Sequence, residues 1–177
     1  MNSLEIKKKL LKFTVKEVKK FLKENPDLKF YAFAYDCNSE YAEVNLCFNT
    51  IEDFNQTLNY YKNGKYGEDF KSDEAIRDLK YNTGDWEYQC FETINVLSEE
   101  KLEKIYNDFP DDDYKSQNLF IEELMELFAE CIIEFRASEV YESIPKSENF
   151  ISFCIDHDED FEDAEQRMLR IENKKKE

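Results

Sequence analysis

The chain is 177 residues long, with 24 Lys and Arg against 41 Asp and Glu, a formal charge of −17, and 41% hydrophobic and 15% aromatic residues. That is more core material than a disordered acidic polypeptide carries, and the length suits one compact domain. Three Gly and three Pro exclude collagenous and linker-rich architectures, and neither a G-x-G-x-x-G nor a G-x-x-x-x-G-K-[ST] phosphate loop is present.

Residues 3–24 place Leu4, Leu11, Val15, Val18 and Leu22 at helical spacing, with Lys8, Lys9, Lys12, Lys16, Lys19 and Lys23 mostly elsewhere. This predicts a basic amphipathic helix packed on the surface of the fold, ended by Asn25-Pro26. Residues 28–35 follow as a strand covered on both faces, with Tyr31, Phe33 and Tyr35 on one and Phe30, Ala32 and Ala34 on the other. After a polar turn at 36–40, residues 41–49 alternate Ala42, Val44, Leu46 and Phe48 with Glu43, Asn45 and Cys47, as the antiparallel partner in a hairpin would.

Thr50 opens a helix with Glu52 and Asp53 in its first turn and Ile51, Phe54, Leu58 and Tyr61 at helical spacing, ending near Asn63-Gly64. Residues 66–74 read as a loop, 76–81 as a third strand, and 82–85 as a turn directly before Trp86, the sole tryptophan. Trp86, Tyr88 and Phe91 cluster without a periodicity that assigns them to helix or strand. Ser98, Glu99 and Glu100 begin a helix that Pro110 closes. The longest helix, residues 116–141, follows, its apolar face traced by Phe120, Leu124, Leu127, Phe128, Cys131, Ile132 and Phe135. Ser143-Ile144-Pro145 breaks the chain before a final strand at 150–155, an acidic stretch at 156–163 and a C-terminal helix. The expected fold class is α+β, a small, mainly antiparallel sheet of about four strands covered by several helices. It forms a single domain over residues 1–173, with a frayed basic tail at 174–177.

The five cysteines, Cys37, Cys47, Cys90, Cys131 and Cys154, are odd in number and set in apolar stretches without a C-x-x-C pair, the pattern of reduced core thiols. A Cys37–Cys47 disulfide across the hairpin is conceivable. The lysine-rich first 24 residues contain neither a secretory apolar stretch nor a membrane span, so the expectation is a cytoplasmic protein with free thiols. Residues 1–24 carry eight Lys and three Glu, whereas residues 25–173 carry 13 basic and 37 acidic side chains, a balance of −24. A field of that sign repels nucleic-acid phosphates and anionic lipid and speeds encounter with a basic protein, although the same acid also serves solubility. The expected partner is therefore a basic protein, with no nucleic acid and no membrane.

His157 is the only histidine, which removes sites that need two imidazoles, and no nucleophile motif accompanies it. Asp156, Asp158 and Asp160 imitate positions 1, 3 and 5 of a calcium loop, but Phe161 replaces the glycine at position 6 and Arg167 the glutamate at position 12. No catalytic residue, metal or cofactor is expected. Asp108, Asp111, Asp112 and Asp113 gather around Pro110 with Tyr114 beside them. The candidate partner-binding residues are thus Asp111, Asp112, Asp113 and Tyr114 in one loop and Asp156, Asp158 and Asp160 in another, where carboxylates would meet the lysines or arginines of a partner.

Four segments in order carry a resemblance: Phe30-Tyr31-Ala32-Phe33-Ala34, Phe48-Asn49-Thr50-Ile51-Glu52, Leu79-Lys80-Tyr81 with Gly84-Asp85-Trp86-Glu87-Tyr88, and Ile155-Asp156-His157-Asp158. Together they resemble an uncharacterised family of small bacterial domains with Tyr-Ala-Phe-Ala, Asn-Thr and Asp-Trp-x-Tyr segments, over most of residues 1–165. The motifs read as structural: Tyr31, Phe33 and Tyr88 as packing residues, Trp86 as a core anchor, Asp85 as a brace for its turn. Similar domains occur in bacterial loci that encode polymorphic toxins and their immunity proteins. The resemblance therefore implies a non-enzymatic, immunity-type inhibitor that neutralises a basic toxin, such as a nuclease, through an acidic surface. Two alternatives stand beside it, a small-ligand or metal-binding, enzyme-like domain using residues 156–160 and a structural or adaptor subunit that homo-oligomerises.

Overall fold

The protein's structure, a computed structural model, describes residues 2–65, 67–110 and 113–174. Helix α1 (Ser3–Glu24) leads into strands β1 (Phe30–Asn38) and β2 (Glu43–Thr50), helices α2 (Ile51–Asn63) and α3 (Asp73–Tyr81), and strand β3 (Tyr88–Asn95). Helices α4 (Glu99–Asn107), α5 (Tyr114–Phe135) and α6 (Glu139–Glu142) precede strand β4 (Lys146–Asp156) and helix α7 (Phe161–Lys174). The strands form one sheet in the order β3-β2-β1-β4. β2 runs antiparallel to both β1 and β3, while β4 lies parallel to β1. The fold is α+β, with a mainly antiparallel sheet between helices, as the sequence pattern predicts.

Helix starts follow from short polar side chains placed to accept the first free amides. Thr50 Oγ1 takes the Asp53 amide at 3.1 Å and donates to Asp53 Oδ2 at 2.6 Å, and Ser72 Oγ takes the Ala75 amide at 3.1 Å. Thr50→Ala is expected to cost about 1 kcal/mol and to lower the thermal midpoint by about 2–4 °C, measured by circular dichroism; an unchanged midpoint would show that the cap is dispensable.

One sheet face packs on α1 and α5. Phe30, Phe33 and Phe48 meet Phe21 of α1 and Phe135 of α5, and the Tyr35 and Thr14 hydroxyls share a 2.6 Å hydrogen bond. On the other face, Tyr31 meets Phe54 of α2, Tyr81 of α3 and Trp86, and Phe153 of β4 meets Trp86 and Phe161. The two faces of β1 therefore differ from strict alternation. The register shifts between Phe30 and Ala32 on both neighbouring strands, and this bulge puts Tyr31 opposite Phe33 instead of beside it.

Three further elements differ from the sequence reading. Residues 76–81 are helical: Ser72 caps them, Asp73 and Glu74 form an acidic first turn, and Ile76 and Leu79 lie three apart, on one helical face. The third strand is instead Tyr88–Asn95, an edge strand whose alternation is broken by a bulge at Cys90, where φ is 48°. The predicted helix over 116–141 ends at Phe135; Arg136 turns to bond Ser152 and Glu172, and Ser138 caps the separate short helix α6. The final strand is also longer than residues 150–155. The buried side of α1 is rotated as well, running through Ile6, Leu10, Thr14, Glu17, Val18 and Phe21 and leaving Leu4 exposed.

Candidate functional site

The motif residues from separate parts of the chain meet in one network. The C-terminal carbonyl of Lys80 accepts the Tyr31 hydroxyl at 2.5 Å and the Trp86 indole N–H at 3.0 Å, and Asn49 Nδ2 donates to the same Tyr31 oxygen at 3.2 Å. Asp85 holds the next turn: Tyr61 donates to its Oδ1 at 2.7 Å and Asn82 Nδ2 to its Oδ2 at 2.8 Å. The Asp85 carboxylate raises the pKa of the Tyr61 phenol, and burial raises that of Tyr31. Trp86 is buried in this knot, Phe33 is buried on the opposite face, and Tyr88 packs half-buried against Phe21. All five motif residues take part in packing or hydrogen bonding within the fold, and the knot forms one wall of a cleft that Asp85 also lines.

The opposite wall is the turn that follows β4. Asp156 is locked to the hairpin, accepting the Ser39 hydroxyl and, at 2.9 Å, the His157 amide. Glu159 accepts the Asp156 amide at 3.1 Å and pairs with Arg167. Asp158 and Asp160 are exposed, with no side-chain partner among the described residues. On one side of this turn, a cleft of about 600 Å³ is rimmed by Asp69, Asp78, Asp85, Asp158 and Asp160, with Tyr61, Phe70 and Tyr81 among its lining residues. On the other side, a cleft of about 660 Å³ adds Glu122, Glu126 and Asp163. The arginines in the second cleft are already engaged, Arg167 by Glu159 and Arg170 by Glu126 at 3.0 Å. The turn is thus a ridge of carboxylate between two acidic hollows.

The other candidate loop divides differently. Asp111 and Asp112 lie outside the described residues. Asp113 caps α5 by accepting the Ser116 amide at 3.2 Å, bonds that hold its carboxyl below the usual range, and Tyr114 is exposed at the first turn of that helix. Neither Asp113 nor Tyr114 lines the clefts beside residues 156–160.

All five thiols are free. Cys37 and Cys47 face opposite sides of the sheet, which rules out the bridge that the hairpin spacing suggests; Cys37 Sγ instead lies 3.6 Å from Cys154 Sγ. Burial raises the pKa of the Cys47 thiol and pushes that of Cys131 up to about 12, while a hydrogen bond with Cys47 lowers that of Cys90. Asp156, Asp158 and Asp160 do not converge as ion ligands. Among the described residues, one group of three ligating side chains does, Asp36, Cys47 and Cys90. Sequence reading missed it because β1 continues through Asp36, which the sequence places in a polar turn. The available signal was a carboxylate following a fully covered run of strand residues.

No helix among the described residues is long and apolar enough to cross a membrane. No curated protein and no solved structure matches the chain. The model of one family, described as a domain of unknown function (DUF4303), matches residues 10–174, so nearly the whole fold from α1 to α7 is the family's unit and the chain belongs to the DUF4303 family.

Proposed function

We propose that this domain is a non-enzymatic binding protein that docks a basic protein on the ridge carrying Asp156, Asp158 and Asp160, as an immunity-type inhibitor would occlude a basic toxin. The observation that carries this reading is the meeting of carboxylates from four separate segments around one ridge, with Asp158 and Asp160 exposed and unpaired among the described residues while the neighbouring arginines are neutralised. Such a surface attracts a cationic partner over a distance of about a Debye length, about 8–10 Å at physiological salt, and disfavours an anionic one. The ridge sits on a rigid base, because Asp156 is tied to Ser39 and Glu159 to Arg167.

Co-expression with the products of the adjacent genes tests the reading. Rescue of growth together with a stable complex is the expected result, and failure to protect against every toxin encoded nearby would end it.

A further inference from the structure

We propose that Asp36, Cys47 and Cys90 bind one thiophilic divalent cation of the zinc type on the sheet face opposite α1 and α5. The three residues come from β1, β2 and β3, and their ligating atoms all lie within 4.8 Å of one another. Cys90 reaches this position through its bulge. Asp36 is buried, and its Oδ1 has no hydrogen-bond donor among the described residues. The nearest cationic candidate, His157 Nδ1, stands 3.9 Å from that oxygen. A buried acceptor-only oxygen without a donor is costly, and carboxylates in that position are ordinarily paired or bound to metal.

The chemistry of the set selects the ion. Two sulfur ligands and one carboxylate favour zinc-like cations over magnesium or calcium, which prefer oxygen. Closing on an ion with bonds of about 2.3 Å to sulfur and about 2.0 Å to oxygen requires the ligands to draw together by about 1 Å. Cys90 is the exposed member and provides both the movement and the path from solvent. The Cys90 amide donates to Cys47 Sγ at 3.2 Å, a contact that supports sulfur in its anionic, ligating form. Three protein ligands leave a fourth position for water. The spacing in the chain hides the site, because residues 36, 47 and 90 form no short motif.

The test is titration of the reduced, chelator-treated full chain with Co²⁺ and then Zn²⁺. Expected are a thiolate-to-cobalt charge-transfer band that saturates at one ion per chain, its loss as Zn²⁺ displaces cobalt, and a rise in thermal midpoint with either ion. Cys90→Ser and Asp36→Asn should each weaken binding about tenfold or more, whereas Cys131→Ala should keep the band. Asp36→Asn removes a buried charge while keeping the side chain's size and its capacity to bond Thr83, so its metal-free midpoint should change little, which separates lost binding from lost folding. Absence of the band in excess Co²⁺ would overturn the proposal. So would an affinity, read from the band or the midpoint shift, that is unchanged by Cys90→Ser, since that would place the ion elsewhere.

Discussion

Trp86→Ala is expected to destabilise the protein by about 3–5 kcal/mol and to lower its thermal midpoint by about 10 °C or more. The indole is buried, edge-on to Tyr31 at 5.9 Å and to Phe153 at 5.8 Å between ring centroids, so truncation opens a cavity against the central and edge strands together. It also removes one of the two side-chain donors to the Lys80 carbonyl, leaving only the Tyr31 hydroxyl there. Trp86→Phe separates these losses. It retains most of the packing and should cost only about 1–2 kcal/mol, mainly the hydrogen bond and the smaller ring. Urea unfolding followed by circular dichroism measures both variants. A loss below about 1 kcal/mol for Trp86→Ala would show that the site collapses around the missing ring.

Reversing charge on the ridge should act on association and leave stability nearly untouched. Asp158→Lys with Asp160→Lys is expected to slow association with a basic partner by about tenfold or more at low salt, the scale of electrostatic steering. The difference should shrink as ionic strength rises. Both side chains are exposed and make no side-chain hydrogen bond or ion pair among the described residues, so the melting curve should move little, by no more than about 1 kcal/mol for a lysine placed before the first turn of α7. Asp156→Asn is the contrasting variant: its carboxylate braces Ser39 and the His157 amide, so its effect should appear in stability. Stopped-flow rates that are equal for the double variant and the parent at low salt would remove the ridge from the docking surface.

What the sequence disclosed follows from how each element is stabilised. α2 was legible because Thr50, Glu52 and Asp53 mark its start and its apolar residues keep helical spacing. The hairpin was legible from β2, whose alternation matches its burial over Glu43–Leu46, although Cys47 and Asn49, on the side the alternation leaves to solvent, are buried as well. α1 was legible as a helix, but its buried side includes Thr14 and Glu17, so an apolar stripe drawn from leucines and valines is rotated from the true one. A single bulge at Tyr31 defeated the assignment of β1 faces, because one inserted residue exchanges the sides of everything after it. β3 was invisible for a related reason: it is an exposed edge strand interrupted at Cys90. The acidic ridge could be found as a run of letters, whereas the Asp36, Cys47 and Cys90 group exists only once three strands are in register.

The parallel pairing of β4 with β1 sets an order on assembly. Cys37 and Cys154, adjacent in the core, are separated by 117 positions in the chain. During synthesis, β1 and β2 emerge early and pair locally, but the second edge of β1 stays unoccupied until residues 146–156 have been made. Loop closure over that length is slow, and an aromatic strand with an open edge is a template for pairing with other chains. The nascent protein therefore carries its greatest aggregation risk in the interval before its last strand arrives, because α5, which packs Phe135 on Phe33, covers a face of β1 and leaves that edge open.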